Sequence, residues 1–157
     1  MGRHQDDGKD FAHQALQLLR SARLRVTRQR RELIALLGET CDPLNPYELK
    51  DRMDARGIAI DTVSIYRILA CFESRGIVHR IPSSGGYVKC HLSPGDDACH
   101  HYLVCRHCRR VEEMPCGGLE PWEEEAARRR GFQVETHNIE LSGICSSCRE
   151  ALSSRNA

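Results

Sequence analysis

Two CxxC pairs, Cys105-x2-Cys108 and Cys145-x2-Cys148, stand 36 residues apart in a chain of 157. Each pair is a two-thiol knuckle, and four thiolates drawn together suit one tetrahedral zinc ion. Whatever else this chain folds into, residues 145–148 have to return to residues 105–108. The stretch between them reads as a strand, a helix and a hairpin, which is enough for that return. A centre filled by four protein ligands keeps no open position for water or substrate, so it reads as structural. A single CxxC would also fit a thioredoxin-like redox motif, a reading the second pair disfavours. The chain has nine cysteines, and an odd number in a reducing compartment suits metal binding better than a disulfide framework.

The setting is expected to be soluble and cytoplasmic. The opening MGRHQDDGKDF has no apolar run and no cleavage-site pattern, and it misses the myristoylation pattern because position 6 is Asp. No stretch of 18 consecutive apolar residues follows, so no membrane partner is expected. Lys and Arg number 23 against 22 Asp and Glu, and on so balanced a chain any nucleic-acid surface has to be local.

The first ninety residues read as helices followed by a short hairpin. From Asp10 to Ser21 the set Phe11, Ala15, Leu18 and Leu19 follows helical spacing. Thr27 is placed to cap RQRRELIALLGE. Asn45, Pro46 and Glu48 supply cap, first-turn proline and capping-box acid for a third helix that runs to about Arg56 and stops at Gly57. Asp61 caps TVSIYRILACFESR, which Gly76 closes. IVHRIP and GYVKCHL then flank the turn signal SSGG. This is the layout of a winged helix-turn-helix.

On a wheel of about 100° per residue, Ile65, Ile68, Leu69 and Phe72 of the fourth helix share one side. Val63, Ser64, Arg67, Ala70 and Ser74 stand opposite. That outer face is small and lightly polar with one long cation, suited to a major groove, where Arg67 could make two hydrogen bonds to a guanine. Six arginines crowd into RSARLRVTRQRR, residues 20–31, a local patch for phosphates. Arg25, in the turn before the second helix, is within reach of a minor groove.

Beyond Pro94 the character changes. SPGDDA reads as a hinge. HYLVC and RVEEM alternate like strands around CRHC, GLEPWEEEAARRRG reads as a helix, and FQVETHNIELSGIC reads as strand again. The tail SSRNA reads as loose. Around the junction lie His79, Cys90, His91, Cys99, His100, His101, Glu112, Glu113, Glu120 and His137. A metal held by the hairpin residues His79 and Cys90 and by residues of the second domain would set the angle between domains, as a metal switch requires. Cys41 and Cys71 read as structural thiols, and Cys116 is unassigned. The chain has no HExxH, no G-x-S-x-G and no HxE beside a PCxxC, so an enzyme acting on a small organic substrate is not expected.

Over roughly residues 10–150 the chain resembles the ferric uptake regulator family. The resemblance is carried by LRVTRQRREL, DTVSIYRILACFESRGIVHRI, HHYLVCRHCRRVEE and GICSSC. It implies an α+β molecule with an N-terminal winged helix-turn-helix domain and a small C-terminal α/β dimerisation domain that carries the four-cysteine zinc site. The corresponding boundaries are 1–92 for the winged helix, 93–98 for a hinge and 99–157 for the dimerisation and metal-binding domain. It also implies a homodimer that represses at A·T-rich inverted repeats when metal is bound, with Tyr47, Tyr66 and Arg67 at positions that touch double-stranded DNA. Cys90, in YVKCHL, resembles the zinc uptake regulators of that family, and a thiolate there favours zinc over ferrous ion. That likeness implies His79, Cys90, His100 and Glu113 as the regulatory set and control of zinc uptake genes.

Cys99, His101, Glu120 and His137 form a further candidate set, with His101 able to serve either one, so two or three zinc ions per chain are expected. The family's HHxH string is altered here, with Cys99 at its start and Tyr102 in place of the third histidine. Two other readings stand beside this one. An iron, manganese or peroxide sensor of the same family explains everything but Cys90. A zinc-stabilised interaction or redox protein would use only the CxxC pairs.

Overall fold

The structure is a computed structural model that describes residues 3–91, 100–115, 117–135 and 137–154, with the side chains of 3–7 and 100 outside that description. The expected hinge 93–98, Cys99, Cys116 and the end of the tail fall outside the described residues.

Four helices come first: α1 (Arg3–Ser21), α2 (Arg28–Gly38), α3 (Pro46–Ala55) and α4 (Thr62–Glu73). Their starts are written in local hydrogen bonds. Thr27 accepts from the N–H of Arg30 at 3.3 Å, and Asp61 accepts from the N–H of Ser64 at 2.8 Å. At α3 the capping box is complete: Asn45 accepts from Tyr47 and Glu48, and Glu48 accepts from the Asn45 N–H. Each satisfies donors that the first helical turn would otherwise leave unpaired. The apolar faces meet in one core built around Ala15, Leu19, Leu33, Leu49, Ile65, Leu69 and Phe72, all fully buried.

Helix α1 begins seven residues before the expected Asp10. Its first turns are polar, so apolar spacing does not reveal them, and they are positioned by backbone contact with the end of α2. A Cβ on Gly8 would stand 2.8 Å from the Gly38 carbonyl oxygen, so both glycines are needed for that approach. The same carbonyl accepts from Nζ of Lys89, a buried lysine, at 3.0 Å. A cation at the C-terminal end of α2 is where the helix dipole favours one.

The wing is the antiparallel pair β1 (Val78–Ile81) and β2 (Gly86–Lys89), with Leu44 bridging to Tyr87 beside it. A three-stranded sheet in the order β4-β3-β5 follows, built from β3 (His100–Cys105), β4 (Val111–Pro115) and β5 (Ile139–Gly143), with α5 (Pro121–Arg129) and α6 (Ser146–Ser153). β4 runs antiparallel to β3 and β5 parallel to it. Wing and sheet are not independent: Ile81 and Val88 of the wing share an apolar cluster with Tyr102, Val104 and Val111. The backbone N–H of Ser83, at the wing tip, donates to Glu140 of β5 at 3.2 Å.

Two expectations are corrected in this half. Residues 132–135, expected to be strand, are irregular, and only 139–143 pair. β5 has β3 as its neighbour, and the register His101↔Ile139 leaves little of β3 beyond it to pair with. The eight-residue helix α6 was not expected: it buries only Cys148, so no apolar period marks it.

Candidate metal centres and nucleic-acid interface

The parallel pairing of β5 with β3 accomplishes the return that the two CxxC pairs demand. Cys105 ends β3 opposite Gly143, and Cys145 caps α6 just beyond β5. All four sulfurs lie within 4.8 Å of one another. Zn–S bonds of about 2.3 Å imply a tetrahedron edge of about 3.8 Å, and the Cys108 and Cys145 sulfurs stand 3.8 Å apart. Backbone N–H groups of Cys108 and then Cys145 point at the Cys105 sulfur and pull its pKa down to about 6. Cys148 is pushed up to about 12, chiefly by sharing a proton with Cys145 and then by burial. Such a cluster favours a cation that takes the place of the shared protons.

A second cluster joins the wing to β4. His79 of β1, Cys90 just past β2, and Glu113 of β4 each place a donor atom within 4.8 Å of the others. Nε2 of His79 is 3.3 Å from Oε1 of Glu113, which matches the edge of about 3.3 Å expected for nitrogen and oxygen ligands on one tetrahedral zinc. The Cys90 sulfur lies 3.8 Å from the same oxygen, against about 3.5 Å for such an edge between sulfur and oxygen. The other carboxylate oxygen accepts from the backbone N–H of His91 at 2.6 Å, which orients Glu113 as an outer-shell donor should. The Cys90 backbone donates to Ile77 at 3.0 Å. Tyr102 packs its ring 5.7 Å from that of His79, and burial, with Glu113 nearby, drives its hydroxyl pKa up. The phenol thus closes the cluster as a neutral wall. His100 belongs to β3, but its side chain is not among those described.

Strand alternation separates the sets that overlap in the sequence. Tyr102 pairs with Glu113 on one side and Glu140 on the other, and cross-strand partners share a face, so all three face the wing. His101, one residue earlier, lies on the opposite face. There its ring meets His137 edge-on at 5.3 Å. Its Nε2 is buried and has no hydrogen-bond partner among the described residues. The carboxylate beside His137 is that of Glu123, 3.4 Å from Nε2. Glu120, the acid picked from the sequence, sits at the start of α5, where its backbone N–H donates to the Glu123 carboxylate at 2.8 Å and its carbonyl accepts the Glu123 N–H at 2.9 Å. Cys99 lies outside the described residues. Nothing in the sequence separates Glu123 from Glu120, since both are acids on the first turn of one helix.

The nucleic-acid candidates lie on the helices of the N-terminal half. Tyr47 at the start of α3 is 65 % exposed, and Val63 and Tyr66 on α4 are 60 % and 45 % exposed. Arg67 and Arg25 are also exposed. Ser64 is half-buried, and its hydroxyl donates to Asp61 at 2.6 Å, so its first role is in the helix cap. The Arg25 carbonyl accepts from the Arg30 guanidinium at 2.7 Å, fixing the turn that presents the Arg25 side chain. A hollow lined by Thr27, Arg30, Asp61, Ser64 and Arg67 joins the starts of α2 and α4. None of the described helices is long and apolar enough to cross a membrane.

Residues 21–142 match the model of the ferric uptake regulator family. The zinc uptake regulation protein of Mycobacterium tuberculosis is 34 % identical over 132 residues, 82 % of this chain and 98 % of that protein. A zinc uptake regulator in complex with zinc and DNA superimposes with a TM-score of 0.82 at 27 % identity, covering 93 % of this chain and 97 % of that one. The protein XcZur, 25 % identical, superimposes at 0.78 in its holo form, over 90 % of this chain and 98 % of that one. In its apo form the score is 0.51, over 92 % and 99 %. Both forms are the same protein, and this structure is more similar to the holo form than to the apo form. The chain belongs to the ferric uptake regulator family, and it is a metal-responsive DNA-binding regulator rather than an enzyme.

Proposed function

We propose that the protein is a zinc-responsive transcriptional repressor of the cytoplasm, which binds A·T-rich inverted repeats as a metal-loaded homodimer and controls zinc uptake genes. One observation carries the choice of metal: a buried sulfur, that of Cys90, stands in the donor cluster between wing and sheet. Thiolate, imidazole and carboxylate together suit zinc, whereas a ferrous site favours harder donors. Zinc bound there supplies a cross-link between the wing and β4.

The chain's own groups do the rest. His91 orients Glu113 through its N–H, and Tyr102 excludes water from the cluster's inner side. The wing, held by this cross-link and by its apolar contact with β3 and β4, is fixed relative to the second domain. Two such domains in a dimer then present their α4 helices at a set spacing, as an inverted repeat requires. The resemblance of the arrangement to holo XcZur supports this reading. We assign the four cysteines to a structural zinc, His79, Cys90, Glu113 and His100 to the regulatory one, and His101, His137 and Glu123, with Cys99, to a third. Arg25, Tyr47, Tyr66 and Arg67 contact DNA, with Ser64 at their edge.

The test is binding to an A·T-rich palindromic duplex at buffered free zinc, ferrous or manganous ion, at constant salt. Tight binding that rises with free zinc alone, and that Cys90→Ser abolishes, is the expected result. A response to iron or manganese that Cys90→Ser spares would place the chain with another branch of the family. Binding indifferent to all three metals would leave the four cysteines as a structural pin and remove the regulatory site.

A further inference from the structure

Arg109 follows the first CxxC pair directly, and its φ is +64°. A left-handed backbone is strained for any residue with a Cβ and free for glycine. The knuckle needs that turn: the Arg109 N–H donates to the Cys105 carbonyl, and the Cys105 N–H to the Arg110 carbonyl, each at 2.9 Å. Glycine would serve the turn better, so the side chain of an arginine at this place calls for another role.

Its guanidinium reaches across to the winged helix. Nη2 donates to the Pro43 carbonyl at 3.0 Å, and Nη1 and Nη2 lie 3.3 Å and 3.4 Å from Oε1 of Glu48. These partners are 66 and 61 residues away along the chain. Both are structurally committed. The second oxygen of Glu48 accepts the Asn45 N–H that starts α3. Pro43 lies against Gly86, where a Cβ would come within 2.7 Å of it, and the next residue, Leu44, exchanges two backbone hydrogen bonds with Tyr87 of the wing. One guanidinium therefore grips the point where the start of α3 meets the turn end of wing strand β2, beside the exposed Tyr47.

We propose that Arg109 is a positioning residue that clasps the four-cysteine knuckle to the start of α3, so that the structural zinc site also sets the orientation of the DNA-reading domain. The knuckle then does more than hold its own domain together. This rests on the reading that the chain binds DNA, though its structural half does not. A partly exposed arginine–carboxylate pair contributes little by itself. The clasp acts through its three contacts on a junction that the wing's apolar contact already brings close, so its effect on DNA affinity is modest, about threefold to tenfold.

The test compares wild type, Arg109→Gly, Glu48→Gln and the double variant as full-length zinc-loaded dimers. Glycine relieves the turn, and glutamine keeps the capping box, so Arg109→Gly removes the whole clasp, Glu48→Gln removes its charged half, and each leaves its own element intact. X-ray scattering should show a broader distance distribution for each variant than for wild type. Zinc content should be unchanged, and Arg109→Gly should melt no lower than wild type. Affinity for the palindromic duplex at saturating zinc should fall about threefold to tenfold for Arg109→Gly and by no more than that for Glu48→Gln, and the double variant should be no worse than Arg109→Gly alone. Scattering curves that superimpose on wild type overturn the clasp, as do losses that simply add in the double variant. If wild type binds no DNA under any metal, the repressor reading fails while scattering still decides the clasp.

Discussion

A single sulfur carries the proposed choice of zinc at the cluster between wing and sheet, where a single carboxylate oxygen is shared between His79 and Cys90. Roles there are assigned atom by atom, and residue type alone under-determines them. Cys90 was legible because a thiol on a wing strand has few other reasons to be there. Glu113 was legible only through family resemblance, since Glu112 beside it is equally acidic. The structure separates them by strand alternation, with Glu113 turned to the wing and Glu112 exposed beside Arg110 at 3.2 Å. The third set makes the sharper test. Glu123→Gln should weaken zinc binding at His101 and His137 by about 10-fold to 100-fold or more, whereas Glu120→Gln should leave it unchanged. Glutamine at 123 can still accept the Glu120 N–H, and residue 120 takes part through its backbone, so α5 is preserved in each. Chelator competition on protein with its four-cysteine site filled reads the difference. A loss confined to Glu120→Gln would restore the choice made from the sequence.

At the scale of elements, the helices that could be read in advance are those whose ends are written in side chains. Asn45→Ala should lower stability by about 1 kcal/mol, seen as a lower thermal midpoint with zinc content unchanged. Its partner Glu48 is opposed by burial, but the Asn45 N–H and then Arg109 outweigh that and hold its carboxyl below the usual range. A depressed carboxyl contributes fully above its ordinary pKa and is lost as pH falls through the lowered one. The cost of Glu48→Ala, which removes that carboxylate, should therefore be constant at neutral pH and shrink only in strong acid, read as the thermal midpoint across pH. β5 and α6 were not legible for a shared reason: one is cut short by the end of its partner strand, the other held by a cysteine knuckle. Neither cause is local in sequence.

Helix α4, proposed to read DNA, divides its residues more cleanly. Its buried side is Ile65, Leu69 and Phe72, as the wheel implies, with Ile68 only partly buried. Arg67→Ala should cost about 1–3 kcal/mol at one base position, while Arg28→Ala should weaken all duplexes alike and reduce the salt slope by about one. Titrating matched and single-mismatch duplexes at two salt concentrations separates the two effects. Equal losses on every duplex for both variants would deny Arg67 a base contact.

The whole molecule depends on a second copy, and the outer face of the C-terminal sheet indicates where it sits. Leu103 pairs with Leu141 across β3 and β5, on the face that His101 shares and away from the wing. Leu141 and Ile144 are 54 % and 42 % exposed, and elsewhere in the same domain Trp122 and Phe132 are 68 % and 73 % exposed. So many large apolar groups on one small domain call for a partner surface, and in a two-fold dimer the same patch meets itself. Leu141→Glu would then bring two carboxylates together in that interface, where unpaired charge is strongly unfavourable. The expected outcome is a monomer by sedimentation velocity that keeps its zinc content and helical spectrum. Binding to a palindrome should fall far more than binding to a single half-site, because only the dimer engages both halves at once. The wing packs on the other face of the sheet, and Cys105 and Cys145 sit beside the hollow that Leu103 and Leu141 line, so zinc content is the control that the four-cysteine centre still loads. A dimer that survives Leu141→Glu would move the interface off this face and leave its exposed leucine and isoleucine in need of another partner.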